Sequence, residues 1–311
     1  MNIVYFGTSK FAVPPLEKLL ASPHRVLAAV TQPDRPAGRG QEPRPSAVKQ
    51  AALQHSLYLF QPENCNEYGF LRELRALSPD VIVAAAYGQK LGNDLLGMAR
   101  FYCINIHPSL LPRYRGAAPV ARAILNGDTH TGVSILKIVE KMDAGPLLGI
   151  ARVPIPPEAT TPELEQQLAE LGGDLLLDVL DMIATGQVLE IPQDEREATY
   201  ARKFEKNDGR IDWRKPARRI QDFVRALVPY PGAFTLMGRT RLTLHRVAGR
   251  RYPEKPSHRP GTILQADPEA LRVACGDGDV TLLELQPENK RRMTAADFVN
   301  GYRPQVGSLL T

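Results

Sequence analysis

Cysteine is scarce in this chain. Only Cys65, Cys103 and Cys275 occur in 311 residues; they are far apart, odd in number and never in C-x-x-C spacing. That supports neither a disulfide framework nor a zinc site, and it fits a reducing compartment. No apolar run approaches the ~20 residues that cross a bilayer. The chain passes straight into an apolar strand with no basic leader or cleavage site. A soluble, cytoplasmic protein without a membrane partner is expected. Glycine is missing where a dinucleotide site would need it. After the first apolar run comes GTSKFA, with one glycine where the fingerprint has three. A backbone that cannot approach a pyrophosphate argues against an NAD-dependent dehydrogenase. With six histidines and no Cys/His cluster, no metal is expected. Internal repeats and low-complexity segments are also absent.

What is present suffices for a sizeable core. Hydrophobic residues make up 43% and charged residues 23%, and the length leans toward two domains. Charge is unevenly placed. Residues 1–200 carry 18 Lys and Arg against 22 Asp and Glu, a net of −4, and residues 201–311 carry 21 against 12, a net of +9. A basic second part fits a polyanionic partner, or an ordinary solvated surface.

The first half alternates between short apolar runs and amphipathic stretches. Strands are expected at 3–6, 26–31, 80–86, 102–106 and 133–138, with helices at 10–20, 46–55, 67–77 and 117–125. That alternation means βαβ units and a Rossmann-like, mostly parallel sheet covered on both faces, with ligands bound at the carboxyl ends of its strands. Residues 162–185 carry leucines at helical spacing, interrupted by Gly172-Gly173, and read as one helix or two. An irregular stretch at 189–206 reads as a linker between a catalytic domain (1–188) and a second domain (207–311). In the latter, a helix at 217–226 precedes short alternating runs at 233–237, 241–245, 261–264, 271–274 and 280–285. Such spacing predicts a small OB-like β-barrel. Cys103, inside an apolar strand, reads as inert core.

The most informative stretch is 105–119, NIHPSLLPRYRGAAP. Its prolines and glycine forbid a regular helix and stiffen the loop. Asn105 and His107 stand two apart, so an extended chain projects them to one side. A second loop, 140–146 (EKMDAGP), follows what reads as another parallel strand and delivers Asp143. A lone His after a strand is more often structural than catalytic. With an amide and a carboxylate beside it, the set can act on a developing oxyanion. Asn donates an N–H, His donates as imidazolium, and Asp orients the His and favours its charged form.

These loops, with Gly132-Val133-Ser134-Ile135 and Met142-Asp143-Ala144-Gly145-Pro146, resemble the folate-dependent formyltransferase family. Other stretches resemble the branch of that family that acts on an aminoacyl-tRNA: TQPDRPAGRG (31–40), PSAVK (45–49), AYGQ (86–89), DGRIDW (208–213) and PYPGA (229–233). The likeness covers nearly the whole chain. It implies 10-formyltetrahydrofolate as formyl donor and the α-amino group of methionyl initiator tRNA as acceptor, in the initiation of translation, by a monomer without a metal. Asn105, His107 and Asp143 would be the catalytic trio, and Tyr87, Gly88, Ser109, Leu110, Leu111 and Pro112 would border the folate. Arg35, Arg39 and Arg44 would meet the acceptor end of the tRNA. One departure is that Gln41-Glu42 stand where relatives often carry lysines. Arg214, Arg218 and Arg219, around the start of the 217–226 helix, form either a solvated face or the edge of a basic channel for tRNA. The alternatives are a related enzyme acting on an amino sugar nucleotide or on glycinamide ribonucleotide, which would need neither the arginines nor the basic barrel, and a non-catalytic RNA-binding module, which would need no catalytic trio.

Overall fold

A computed structural model describes residues 1–37, 42–252 and 258–311. The chain divides into two compact units. The first comprises 1–119, 130–154 and 165–201, and the second comprises 120–129, 155–164 and 202–311.

In chain order the elements are β1 (Asn2–Gly7), α1 (Val13–Leu20), β2 (Arg25–Val30), β3 (Arg35–Ala37), β4 (Glu42–Arg44), α2 (Ala47–Gln54), β5 (Leu59–Phe60), α3 (Tyr68–Ala76) and β6 (Val81–Ala85). Next come α4 (Asn93–Leu96), β7 (Tyr102–His107), β8 (Arg115–Gly116), α5 (Pro119–Asn126), β9 (His130–Lys137), β10 (Leu147–Pro154), α6 (Thr161–Ala184) and β11 (Tyr200–Ala201). The main sheet has the order β10-β9-β7-β6-β1-β2-β5. The strands β7, β6, β1, β2 and β5 are parallel. β6 is buried at every position, as a central strand covered on both faces must be.

The expectation of a further parallel strand at 133–138 is corrected. β9 runs antiparallel to β7, with His107 opposite Ser134 and Ile104 opposite Lys137. β10, for which the sequence reading has no strand, completes the edge antiparallel to β9. In the arginine segment, β3 and β4 pair antiparallel, with Arg35 opposite Arg44. α6 is one continuous helix of 24 residues through Gly172-Gly173. A helix interior loses about 1 kcal/mol per glycine relative to alanine, but here close packing requires them. A Cβ on Gly172 would stand 2.9 Å from Ile106 Cγ2 of β7, and one on Gly173 would stand 2.7 Å from Lys18 Cδ. The missing side chains let α6 lie directly against the strand that carries His107.

The second unit holds α7 (Ala217–Ala226), β12 (Ala233–Met237), β13 (Thr240–Arg251), β14 (Ile263–Ala266), β15 (Leu271–Ala274), β16 (Gly278–Pro287), β17 (Met293–Thr294) and α8 (Ala295–Tyr302). Its sheet is antiparallel in the order β12-β13-β16-β15-β14, with β17 on β16. Its two edges are joined by residues 308–311. Leu236 and Thr311 exchange two backbone hydrogen bonds of 2.8 and 3.0 Å on the β12 side. Ile263 donates to the Ser308 carbonyl, and Leu310 to that of Gly261, on the β14 side. The circuit is therefore closed, so neither edge is left to pair with another chain. Trp213, Ile220, Val224, Leu244, Val280 and Leu310 share its core, and the Trp213 indole N–H reaches Thr235 Oγ1 at 3.0 Å.

Leu310 is 3% exposed and belongs to the closing segment. Leu310→Ala should therefore cost about 2–5 kcal/mol, the range for a buried leucine truncation. Denaturant titration checks this, and an unchanged midpoint would remove the segment from the barrel core.

Candidate active site

The site lies where β7 ends. His107 is 4% exposed, and both its ring nitrogens face acceptors. Nε2 is 2.9 Å from the Tyr114 carbonyl, and Nδ1 is 3.7 Å from Asp143 Oδ2. The first separation is a hydrogen bond and the second is longer than one. A donor on Nδ1 is thus aimed at the carboxylate without being committed to it. The same Asp143 Oδ2 accepts the Gly116 backbone N–H at 2.8 Å, which ties the two loops together directly. Asn105 is half-buried in β7, between Ala84 of β6 and Leu136 of β9. Among the described residues its side-chain amide has no hydrogen-bond partner, so its donor remains available.

Because β9 is antiparallel, its last residue, Lys137, pairs near the middle of β7. The 138–146 loop must therefore double back to bring Asp143 to His107. Gly145 makes that return possible, since a Cβ there would stand 1.8 Å from the Lys137 carbonyl oxygen. Asp143 itself sits at φ +49°, in the left-handed region, which asparagine and aspartate tolerate better than most residues.

The 105–119 loop is braced by its own side chains. Ser109 Oγ donates to the Arg113 carbonyl at 2.7 Å, and Ser134 Oγ donates to the Ser109 carbonyl at 2.7 Å while accepting the Leu111 N–H. Leu111 packs with Leu136 and Leu147. Ser109 and Leu111 are buried, whereas Leu110 and Pro112 are half-buried. Tyr87 turns its ring into the core, edge-on to Phe6 at 5.1 Å, and is 4% exposed. Only its carbonyl faces the polar groups, accepting from Thr8 Oγ1 at 2.7 Å. Gly88 follows at φ +94°, where a Cβ would meet only Gln32 Nε2 at 3.5 Å. This turn thus offers bare backbone.

Three residues that hold the site together are ones the sequence reading passes over. Arg115 is fully buried. Its guanidinium donates to Gln193 Oε1 at 2.8 and 3.1 Å and to the Glu195 carboxylate at 2.9 and 3.2 Å. Gln193 Nε2 in turn donates to the carbonyls of Asp143 and Gly145 at 2.8 and 2.7 Å. The backbone of 199–201 runs beside 115–117, with β11 parallel to β8. The segment read as a linker therefore bonds to both loops. The one available signal was an Arg between aromatic and glycine neighbours, which does not differ from a solvated arginine.

Of the expected tRNA contacts, Arg35 and Arg44 are exposed on β3 and β4, with Arg35 bonded to Glu63 at 2.8 Å. Arg39 lies outside the described residues. Arg214, Arg218 and Arg219 belong to the second unit. Arg214 is held by Asp212 at 2.8 Å and Arg218 lies 3.4 Å from Asp222. Arg219 donates to the Asn126 carbonyl at the end of α5. Among the described residues, no group of three or more His, Cys, Asp or Glu stands together as a metal site, and no helix is long and apolar enough to cross a membrane.

Residues 1–180 match the family model for formyl transferase, and 203–303 match that for the formyl transferase C-terminal domain. The methionyl-tRNA formyltransferase of Roseiflexus castenholzii is 46% identical, over 100% of this chain and 99% of the relative. Among solved structures, HypX from Aquifex aeolicus in complex with tetrahydrofolic acid shares the fold with a TM-score of 0.66 at 19% identity. The match covers 98% of this chain and 48% of HypX, so this chain spans about half of that protein. The methionyl-tRNA formyltransferase from Clostridium thermocellum matches with a TM-score of 0.56 at 16% identity, over 80% of this chain and 94% of that one.

The Arg115 guanidinium, and after it the Lys141 ammonium, hold the Glu195 carboxyl down from its ordinary 4.5 to about 2. A carboxyl depressed by folding contributes stability that is full above its unfolded value and is lost as pH falls through its folded one. Stability should therefore decline between pH 4.5 and about 2, and Glu195→Gln should flatten that limb in acid-unfolding curves. An unaltered acid limb would show that the ion pair carries no linkage.

Proposed function

This chain belongs to the formyl transferase family, and from that premise we propose that it transfers the formyl group of 10-formyltetrahydrofolate to the α-amino group of methionyl initiator tRNA. The relatives' name over the full length of the chain supports the acceptor, and the tetrahydrofolic acid complex of a protein with the same fold supports the donor. The first unit (1–119, 130–154 and 165–201) is the catalytic part, and residues 207–311, within the second, are the tRNA-binding part.

One observation carries the catalytic reading. A buried His107 faces Asp143 across 3.7 Å, and the amide of Asn105, unpartnered among the described residues, stands two residues away on the same strand. An α-amino group with a pKa near ~8 is already partly neutral at pH 7 and needs no strong base to attack. The harder task is to stabilise the negative charge that develops on the formyl oxygen. Asn105 N–H is free to meet it. Nε2 of His107 is engaged with Tyr114, so the ring can contribute only through Nδ1, whose long approach to Asp143 leaves it able to turn between carboxylate and oxyanion. Asp143 then orients the ring and takes the proton released by the amine through a water; as the intermediate collapses, the bond from the formyl carbon to the folate nitrogen breaks and that proton passes to the departing tetrahydrofolate nitrogen. Preorganised donors of this kind contribute about 2.7–4 kcal/mol each.

The folate fits beside this set. Gly88 gives open backbone at the Tyr87–Gly88 turn, with the Tyr87 ring turned away, and Leu110 and Pro112 supply half-buried apolar surface next to the buried Ser109 and Leu111. We assign Arg35 and Arg44, exposed on β3 and β4, to phosphates at the acceptor end, with Arg39, which lies outside the described residues, assigned there from the sequence, and Arg214, Arg218 and Arg219 to the body of the tRNA. The related activity on amino sugar nucleotides is disfavoured, because a small acceptor needs neither the arginine segment nor a second unit of net positive charge.

The test is formyl transfer from 10-formyltetrahydrofolate to charged initiator tRNA, with free methionine and an amino sugar nucleotide as controls. Transfer to a control at the same kcat/KM would overturn the acceptor assignment. Asn105→Ala, His107→Ala and Asp143→Ala should each lower kcat by about 10²-fold or more with the fold intact by circular dichroism. A near-native rate for His107→Ala would remove it from the mechanism.

A second measurement concerns the basic unit. Affinity for initiator tRNA should fall steeply with salt, because each neutralised phosphate releases condensed counterion. Arg214→Ala and Arg218→Ala should each reduce the slope of log affinity against log salt by about 1 without changing which tRNA is preferred. A slope identical to that of the native protein would return these residues to solvated surface.

A further inference from the structure

The position of Asp143 is over-determined by groups that touch no substrate. We propose that Arg115, Gln193 and Glu195 form a positioning clasp that fixes the Asp143 carboxylate against His107 and so sets the rate of the chemical step. This rests on the catalytic reading of Asp143 given above and goes beyond it by assigning rate control to residues outside the trio.

The argument begins with the amide of Gln193. Its oxygen accepts twice from the Arg115 guanidinium, and its nitrogen donates to the Asp143 and Gly145 carbonyls. Every hydrogen-bonding function of that side chain is used. Its orientation is also fixed, because a cation lies on one side and two acceptors lie on the other. Arg115 in turn has no exposed surface, and a buried guanidinium must be paired. Gln193 and Glu195 meet that need, and Lys141 adds a second cation to Glu195 at 2.6 Å. The chain that carries them, 193–201, is held down on Tyr114 and Arg115. Thr199 Oγ1 accepts the Tyr114 N–H at 2.9 Å, and the Thr199 carbonyl accepts the Arg115 N–H at 2.8 Å.

The consequence falls on Asp143. Its backbone is at φ +49°, a left-handed conformation that is strained for a non-glycine residue and persists only where the surroundings enforce it. Here its carbonyl is held by Gln193 and its carboxylate by the Gly116 N–H. If the carbonyl is released, the residue can relax, and the carboxylate moves relative to Nδ1. A misplacement on the order of 1 Å costs about 10²-fold in rate. Tyr114, whose carbonyl fixes the other ring nitrogen, is held by the same 193–201 segment. The clasp therefore governs both partners of His107.

The test is a double-mutant cycle between Gln193 and Asp143. Gln193→Leu keeps bulk and loses all four hydrogen bonds. Gln193→Glu keeps acceptors for Arg115 and loses the donors to Asp143 and Gly145, and it serves if the leucine variant does not fold. Each is assayed by single turnover on charged initiator tRNA, well below its own Tm. The expected result is a loss of about 10-fold to 10²-fold in kcat, with KM for both substrates within about 3-fold, and no further loss when Gln193→Leu is added to Asp143→Asn. A native kcat for both Gln193 variants overturns the clasp. An equal loss in the native and Asp143→Asn backgrounds also overturns it, because the effect would then not pass through Asp143. Asp143→Asn with native kcat is a different failure, since it sinks the catalytic reading of Asp143 and the clasp with it, whatever the Gln193 variants do.

Discussion

A guanidinium with no access to water has to be neutralised by the protein, and that demand at Arg115 organises the first unit. The charge cannot be stripped from arginine at any ordinary pH. The fold must therefore bring a carboxylate and an amide to it, and it does so with Glu195 and Gln193, about eighty residues further along the chain. To deliver them, the segment after α6 crosses back to the end of β7 and runs parallel to β8. Once there it also takes up the carbonyls of Asp143 and Gly145. The buried cation thus explains why two loops from separate strands, each rich in residues that resist regular structure, hold one geometry.

The direction of β9 belongs to the same logic. In a wholly parallel sheet, every strand would present its carboxyl end at one edge, and a loop after it would arrive beside His107 directly. With β9 antiparallel, the loop starts three residues back along β7 and has to double over. That route passes close to the Lys137 carbonyl, where only a glycine fits at position 145, and it ends with Asp143 in the left-handed region. The return places a carboxylate against a histidine that the sheet has already buried, in a conformation that needs external support.

Much of the architecture is legible from hydrophobic period alone. The apolar run at 81–85 and the leucine spacing of 162–185 report buried strand and helix directly, because burial is what those patterns encode. Strand direction is not encoded there, and a helix between β7 and β9 reads as an ordinary crossover. β10 has alternating exposure and apolar residues around a glycine, a strand pattern that the sequence reading passes over. β3 and β4 each hold a proline, which demotes a strand reading even where the two strands pair. At the site, Asn105, His107 and Asp143 stand out because their chemistry is distinctive at strand ends. Tyr87 is read less directly. Its motif neighbours suggest a ligand, while its ring is core, and the turn exposes backbone instead. Arg115 and Gln193 carry no local signal, because what makes them special is a partner far along the sequence.

The charge of the second unit is more committed than its sum suggests. Arg225 lies 2.8 Å from Asp222 and Arg218 lies 3.4 Å from the same carboxylate. Arg272 pairs with Asp279, and Arg292 with Glu284. Each of these forks is already engaged, so contact with phosphate would require it to exchange one partner for another. Pairing does not erase the field, however. At distances beyond a Debye length of about 8 Å in physiological salt, a bound pair counts as neutral, and what remains is the surplus of cations over anions. The +9 of residues 201–311 therefore acts as a steering charge that draws a polyanion in. Arg239, Arg291 and Arg303, by contrast, are exposed and have no ion pair among the described residues. A phosphate would thus meet two kinds of arginine in this unit: unpaired ones whose donors are available at once, and paired ones such as Arg218 that must first exchange an acidic partner.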